Sequence, residues 1–543
     1  MRYQHILIWI CLTGWAWVFP SAEKIHSVEE WIDVLGYDAE SSVSEEDLIS
    51  VQQLITSPVT FEDAVSILSS ISIISLADIK IINNSKNIHA LQKNNDLSPA
   101  VNYLVQSIQI VDHLPINLAL RERISFNNGV RHYWRVQGSI GSYNFGILLE
   151  KDPLEQNIAD HNSIYMQWNS RKLKMIAGDH QLVGGYGLVS WRTVGAHKGF
   201  ETINTLPRHG KGMSTYRSSN EYWSTRGIAG EWTTYYGQLT FSLGRTYRDG
   251  SVENGSIKLD ITGQHITTSD LLKQDQLLEN AATVMWSNEL QSGRLGLLIN
   301  TQKIEGFSNA QVHSTSASVF GSKQWNDWNF FGEISSTINN SSAFLGGALF
   351  KSKALKYLVS FRYYPTYYRT YRTQSFSEWA GYDDGETGIF QNVQIKYNRH
   401  HISIYNDIAE KIEENNPAIY NDLKNETGIR WRWQSKKHHF LTQYRKSDQS
   451  ETTENYYPGI TANSNNRITI KGLYKYIPTK KLDLRWQINS TIYNNSNSGL
   501  GFETRAHWKT SKLVITGSWI AAKIDNYNSR VYFWDLNLPG EMN

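Results

Sequence analysis

The chain has 543 residues, of which only 40% are hydrophobic, and its mean hydropathy is -0.45, values that exclude a bundle of membrane-spanning helices. Aromatic residues reach 12%, with 19 Trp and 30 Tyr, a combination of low hydropathy and aromatic richness that suits a sheet with one face in lipid. The net charge of +2 hides an asymmetry: about fourteen acids against four lysines between Glu23 and His113 leave that part near -10, and the remainder near +11.

Residues 1–22 read as a signal peptide, with Arg2 as the positive end, Ile6 to Phe19 as the apolar core and Pro20-Ser21-Ala22 as the exit. The only cysteine, Cys11, lies inside this segment, behind Trp9 and Ile10, which are too bulky for lipoprotein processing. The mature chain therefore has no disulfide, thiolate metal site or Cys nucleophile.

Residues 23–113 form a predicted acidic helical domain. Ser44 with Asp47 and Thr60 with Asp63 are spaced as N-caps with their partners, opening helices through Gln53 and over Ala64 to Ile71. Ser75 caps Leu76 to Asn83, and Ser98-Pro99 opens a helix through Ile108. Pro58 to Asn87, then Ile88 to Ile108, resemble the paired helix-hairpin-helix units of the ComEA-like type. In this sequence the hairpin reads Ser69-Ser70-Ile71-Ser72-Ile73-Ile74-Ser75, without the glycines that let a backbone approach phosphate. An acidic, glycine-free hairpin repels a polyanion, so this domain is expected to pack against the barrel or a periplasmic protein and not to bind nucleic acid.

From Asn117 the texture changes to alternation and tight turns, and residues 114–543 are predicted to form a transmembrane β-barrel. Leu118 to Ile124 is the first expected strand. Trp134 to Ile140 pairs with Tyr143 to Glu150, Ile228 to Thr234 with Gln238 to Arg245, and Ala282 to Trp286 with Arg294 to Thr301. Leu482, Leu484, Trp486 and Ile488 share one face of a strand, with Asp483, Arg485, Gln487 and Asn489 on the other; Ile429 to Gln434 alternates likewise. Roughly twenty such segments recur without the fixed period of a propeller. Short turns alternate with long polar stretches at about 194–225, 246–280, 364–386, 408–426 and 446–465. The fold class expected is therefore mainly β: a large antiparallel transmembrane barrel preceded by a small all-α domain.

Between Ser163 to Trp168 and the first long loop lies Gly178-Asp179-His180-Gln181-Leu182-Val183-Gly184-Gly185-Tyr186-Gly187. Four glycines in ten residues suit a strand that bends where the wall meets a loop. Together with Arg208-His209-Gly210-Lys211-Gly212, Tyr216-Arg217-Ser218-Ser219-Asn220-Glu221 and Glu279-Asn280-Ala281-Ala282, this stretch resembles the exported helix-hairpin-helix proteins of Bacteroidetes type that carry a C-terminal outer-membrane barrel. The resemblance covers most of residues 44–300. It implies an outer-membrane location with the helical domain in the periplasm, contact with outer-membrane lipid, and dependence on the barrel insertion machinery.

The candidate functional residues are Arg208, Lys211 and Arg217, as a pore lining or anion-binding loop. Gly178, Gly184, Gly185, Gly187, Gly210 and Gly212 are expected to be structural glycines. Ser269 to Asn280 reads as a capped helix that plugs or roofs the lumen, or lies on the surface. No cofactor or metal is expected: His438-His439 and Arg399-His400-His401 place adjacent residues on opposite faces.

The function expected is a non-enzymatic pore, scaffold or envelope assembly factor. The alternatives are DNA binding or uptake through the helical domain, and a phospholipase-like hydrolase built on His401-Ile402-Ser403 with Asn406 or Asp407. The spacing places His401 and Ser403 on one strand face, but Ile404-Tyr405 stand where outer-membrane phospholipases have Ser-Asn-Gly. Val531 to Trp534 reads as a late strand, and Leu538 to Asn543 as a turn with no closing strand after it, which predicts a truncated C-terminus.

Overall fold

In the computed structural model the described residues run from 28 to 533 with interruptions, the longest being 33–44 and 413–421; the expected signal segment, Ser75, Trp534 and Leu538 to Asn543 lie outside them. Val28, Trp31 and Ile32 are helical, and from Glu45 on five helices precede the sheet among the described residues: α1 (Glu45–Thr56), α2 (Phe61–Ser70), α3 (Leu76–Asn84), α4 (Ile88–Gln92) and α5 (Pro99–Ser107). The expected cap at Thr60 is present, its Oγ1 accepting from Asp63 N at 3.1 Å and donating to Asp63 Oδ2 at 2.8 Å. Trp31, Leu54, Leu68, Ile82, Val101 and Leu104 close a compact apolar centre among these helices.

Strands follow. β1 to β5 are Asn117–Ser125, Arg131–Ile140, Tyr143–Lys151, His161–Asn169 and Leu173–Val183. β6 to β10 are Gly212–Thr215, Thr225–Thr234, Gly237–Arg248, Gly250–Glu253 and Ser256–Leu259. β11 to β17 are Leu277–Leu290, Gly293–Gly306, Gln311–Trp325, Trp328–Thr337, Ser342–Lys351, Leu355–Tyr364 and Gly385–Tyr397. β18 to β24 are His400–Ile412, Leu423–Gln434, His438–Glu454, Ile460–Thr479, Leu482–Tyr493, Asn497–Lys509 and Val514–Ile524.

All but β9 and β10, which pair as a separate hairpin, belong to one 22-stranded antiparallel sheet. The chain is thus mainly β, with a small helical unit in front of a very large sheet. Among the described residues, β1 pairs only with β2 and β24 only with β23.

The two faces of the sheet invert the usual distribution of a water-soluble protein. Outward-facing neighbours run Val284–Ile299, Leu297–Val319, Val319–Ile334, Ile334–Phe344 and Phe344–Tyr363 across five strand pairs, all exposed. Inward positions carry Gln302, Ser316, Ser318, Arg362, Asn392, Asp407, Gln487 and Glu503, all buried. An exposed apolar belt around a polar interior is stable only where the outside is hydrocarbon. Trp232, Tyr235, Tyr236, Trp325, Tyr397 and Trp508 are exposed beside the short turns, where a ring of amphipathic side chains marks a lipid–water boundary. No helix among the described residues is long and apolar enough to cross a membrane.

Three expectations are corrected. The segment Ser269 to Asn280 is not a helix. A single turn, Thr268–Leu271, is closed by a capping box between Thr267 and Asp270, and Leu277 to Asn280 already pair with Arg248 to Arg245 in the sheet. Its Leu272 is 75% exposed while Leu277 is buried as a residue of the sheet, so the leucines do not share one helical apolar side. The described residues of the stretches 408–426 and 446–465 are nearly all strand, because β18 to β21 keep pairing beyond the point where apolar alternation stops. Residues Val531 to Phe533 do not form a strand. The chain lies along the inner face of β22 and β23, Thr491 Oγ1 donating to Arg530 O at 3.3 Å and Asn489 Nδ2 to Tyr532 O.

Candidate functional site in the occupied lumen

The wall gives up one of its own strands to fill the interior. β5 pairs with β4 only as far as Gly178, which faces Tyr165. There φ is +100°, and a Cβ would overlap Ile164 O, so only glycine permits the bend. Beyond it Asp179 fills the gap between the parting strands, accepting from Ile164 N at 2.8 Å and from Arg226 Nε at 2.9 Å. The rest of β5 pairs with the short β6, and the chain between them runs inside the sheet.

Near mid-height, the backbone around Gly185 wraps the buried carboxylate of Glu333 on β14. Tyr186 N and Leu188 N donate to its Oε2 at 2.6 and 3.2 Å. Gly185, at φ +61°, sits so close that a Cβ would strike Glu333. This is an anion-binding concavity of backbone amides, but the anion it holds is the wall's own side chain. Gly184 lies against Leu298, Gly187 is the acceptor for Thr373, Gly210 packs on Val183 O, and Gly212 faces Glu231.

A second loop, 365–379, packs on the first from the same end. Tyr368 Oη and Thr370 Oγ1 donate to Leu188 O at 2.8 and 3.0 Å, and Trp191 N donates to Arg372 O at 2.8 Å. Leu182 at the end of β5 and Leu188, Phe200, Leu206 and Phe376 from these loops join Leu298, Phe320, Leu345, Leu358, Phe390 and Tyr405 from the wall in one buried apolar cluster. Over this arc the interior is packed protein, not a water channel.

Charges inside the packing are paired. Arg362 holds Asp407 through Nη1 and Nη2 at 2.7 and 3.1 Å and also bonds Glu386. Lys198 from the first loop reaches Glu378, Asp407 Oδ2 (3.3 Å) and Glu426 Oε2 (3.8 Å), while Lys424 also binds Glu378. Arg248 and Arg372 share Glu279 at 2.7 and 2.6 Å.

The expected pore or anion residues face the helical domain. Arg208 is buried and donates through Nη1 to Ile71 O at 2.7 Å, just past the end of α2. Arg217 Nη2 donates to Ser50 Oγ of α1 at 3.1 Å. Lys211 is half-buried at the entrance to β6. The helical domain therefore sits against the lumenal loops and the short-turn ends of β16 to β19, where Lys356, His401 and Arg432 lie close to Trp31 and Ser98.

His401 and Ser403 do share the inward face of β18. However, Ser403 Oγ is buried without a hydrogen-bond partner among the described residues, so nothing activates it. Asn406 projects from the opposite face and bonds Asn425 and Thr427, and Asp407 is committed to Arg362.

A cluster that spacing did not reveal lies at the long-loop rim. His265 Nδ1 is 2.5 Å from Glu155 Oε1 and its Nε2 is 3.1 Å from Asp249 Oδ2; its backbone N donates to Asp152 Oδ2 at 2.8 Å. Glu221 completes the set, and ligand atoms of Asp152, Glu155 and His265, or of Glu221, Asp249 and His265, lie close enough to meet at one cation. Burial works against an imidazolium here, but the hydrogen bonds to Asp249 and Glu155 outweigh it and hold His265 up at about 11. Burial and then the neighbouring Asp249 push Glu221 up to about 9. The residues come from three loops, after β3, between β6 and β7, and between β8 and β11, which no local motif signals.

No family model and no curated protein matches the chain. Among solved structures it is similar to OccAB3 of Acinetobacter baumannii, at 9% identity and TM-score 0.29, over 75% of this chain and 98% of that one. It is also similar to OpdQ of Pseudomonas aeruginosa (10% identity, TM-score 0.31, 75% and 95% covered). A third similar structure is the FrpB iron transporter of Neisseria meningitidis (9% identity, TM-score 0.43, 75% and 76% covered).

Proposed function

We propose that this chain is a non-enzymatic outer-membrane β-barrel protein whose passage is closed at rest, with the helical domain on the periplasmic side as the closing element. The membrane reading is supported by the inverted faces of the sheet and the aromatic ring at its short turns. The periplasmic placement follows from short turns facing that side in barrels of this kind.

The observation that carries the closure is the pair of hydrogen bonds by which Arg208 and Arg217, on a lumenal loop, reach Ile71 O and Ser50 Oγ of the helical domain. Side chains that line a channel would end in water; these end in a protein domain. Such a domain is also the part open to a periplasmic partner protein, whose binding would compete with docking. In the same arrangement, a carbonyl of the expected DNA-binding hairpin is taken up by Arg208, which disfavours a role in holding phosphate.

The test is conductance of the full chain in planar bilayers. Wild type is expected to be silent, and the Arg208→Ala/Arg217→Ala double variant to show discrete openings. Steady conductance by wild type sinks the closed-barrel reading. Silence from both proteins removes gating and leaves a scaffold or assembly role.

A further inference from the structure

The seam between the helical domain and the sheet contains a cavity of about 170 Å³. A fully dry cavity of similar size accepts a ring of six carbon atoms, so this one has room for a compact solute. Its walls are mostly apolar by area but carry several charged side chains. Lys356, Arg430 and Arg432 come from the sheet, with His401 beside them, against two carboxylates, Asp78 and Glu201. Both carboxylates have partners: Asp78 Oδ1 accepts from Ser98 N at 2.8 Å, and Glu201 is held by Arg430. The formal balance of the lining is thus positive even with His401 neutral.

Two buried groups in this lining lack a partner among the described residues. Trp31 Nε1, on a side chain with 0% exposure, is a pure donor, and Ser403 Oγ, on a residue 6% exposed, can donate as well. One belongs to the helical domain and the other to the sheet wall. Buried polar groups in folded proteins are nearly always satisfied, so two orphans on residues that line one cavity of positive formal balance point to something that belongs between them. Each of these features calls for an acceptor.

We infer that this cavity binds a compact oxyanion, a phosphate or a small carboxylate, bridging Trp31 of the helical domain to Ser403 and Arg432 of β18 and β19. The site sits on the docking seam, so a bound anion strengthens docking and its loss weakens it. In this respect the inference deepens the closing role proposed above. Binding itself is independent of that role, because a silent or a leaky barrel can equally hold an anion.

The experiment is calorimetric titration of the detergent-solubilised full chain with inorganic phosphate and, separately, with succinate. One of them is expected to bind at one site per chain, and which one does so identifies the source of the oxyanion. Ser403→Ala and Arg432→Gln should each weaken binding by about tenfold or more, the scale of one lost hydrogen bond to a charged group. Trp31→Phe keeps the ring and removes the donor, and should weaken binding similarly. Unchanged heat-modifiable migration on gels verifies folding, and Ser403→Ala is the mildest change should another variant not fold. Absence of binding of either anion up to about 10 mM overturns the inference and leaves water as the occupant. Equal affinity in wild type and all folded variants overturns it too, by moving the anion elsewhere.

Discussion

The arc from β12 to β18 and the arc from β20 to β23 share an outer face and differ inside. Inward positions of the first arc include Leu298, Phe320, Leu345, Leu358, Phe390 and Tyr405, and two loops lie packed on them. Inward positions of the second are, apart from Leu441, mainly polar: Gln443, Lys471, Arg485, Gln487, Asn489, Thr491, Glu503 and Arg505, with Asn489 and Thr491 bonded to the chain that follows β24. Their cross-strand register even places Arg485 opposite Arg505, with Glu503 and Gln487 hydrogen-bonded to them. A strand of a lipid-facing sheet that sets bulky apolar side chains among its inward positions announces protein on its inner side. A strand that alternates cleanly announces a polar one.

The largest expected effect breaks the first arc at its electrostatic centre. Arg362→Ala would leave Glu386 and Asp407 buried in apolar packing with Lys198 as the nearest remaining cation. Breaking a buried pair on one side costs about 3–5 kcal/mol. The expected outcome is a lower urea midpoint and new proteolytic cleavage in the 365–379 loop. If the variant unfolds like wild type, the loop is not held by this network and the contrast between arcs loses its energetic basis.

How much of this was written in the sequence differs between the same regions. β22 was legible from Leu482 to Asn489 because one face meets lipid and the other polar groups, so local alternation carries the whole signal. The bend at Gly178 was legible because glycine density reports backbone geometry directly. The run Leu297-Leu298-Ile299 in β12 held the clue to the packed interior, since Leu298 turns inward between two outward residues, but it breaks alternation and reads as noise. Contacts such as Glu333 with Tyr186 N join residues 147 apart, and Arg208 with Ile71 residues 137 apart; nothing local encodes them. Strand ends ran past their expected limits for a related reason. Gln449 to Thr452 are polar and pair with Asn465 to Ala462, so the ladder continues where the periodic signal has ended. Arg208 and Arg217 were singled out for their charge, and their partners were not, because those partners are a backbone carbonyl and a serine hydroxyl.

A middle-sized effect concerns the rim, where His265 ties the loop after β3 to the loop after β8. Both relevant groups have folded pKa values above their unfolded ones, His265 at about 11 and Glu221 at about 9. Below pH 4.5 the folded and unfolded states hold both protons equally. As pH rises the unfolded state releases its protons first, so the folded state binds more, and stability falls from about pH 4.5 to 9 for Glu221 and from about pH 6.5 to 11 for His265. Between pH 7 and 9 the slope is on the order of 1 kcal/mol per unit for each group. Thermal unfolding followed over that range should decline more steeply in wild type than in His265→Gln. Parallel declines would show that the two loops are not joined through this imidazolium.

The smallest effect tests the polar arc. Asn489→Ala removes the donor to Tyr532 O and the acceptor for Gln487 Nε2 at 3.2 Å. Each is a neutral hydrogen bond, and a net contribution of about 1 kcal/mol per bond sets the scale. Gly499 and Gly501 leave the space in which Ser529 and Phe533 rest, so the segment retains its shape-matched seat when the bond is lost. The variant should keep the midpoint of wild type within about 1–2 kcal/mol, several-fold less than Arg362→Ala. A loss as large as that of Arg362→Ala would mean that the chain after β24 is as tightly built into the interior as the two loops are. The polar arc would then be a second packed region, and the contrast between the two inner faces would be one of residue type alone.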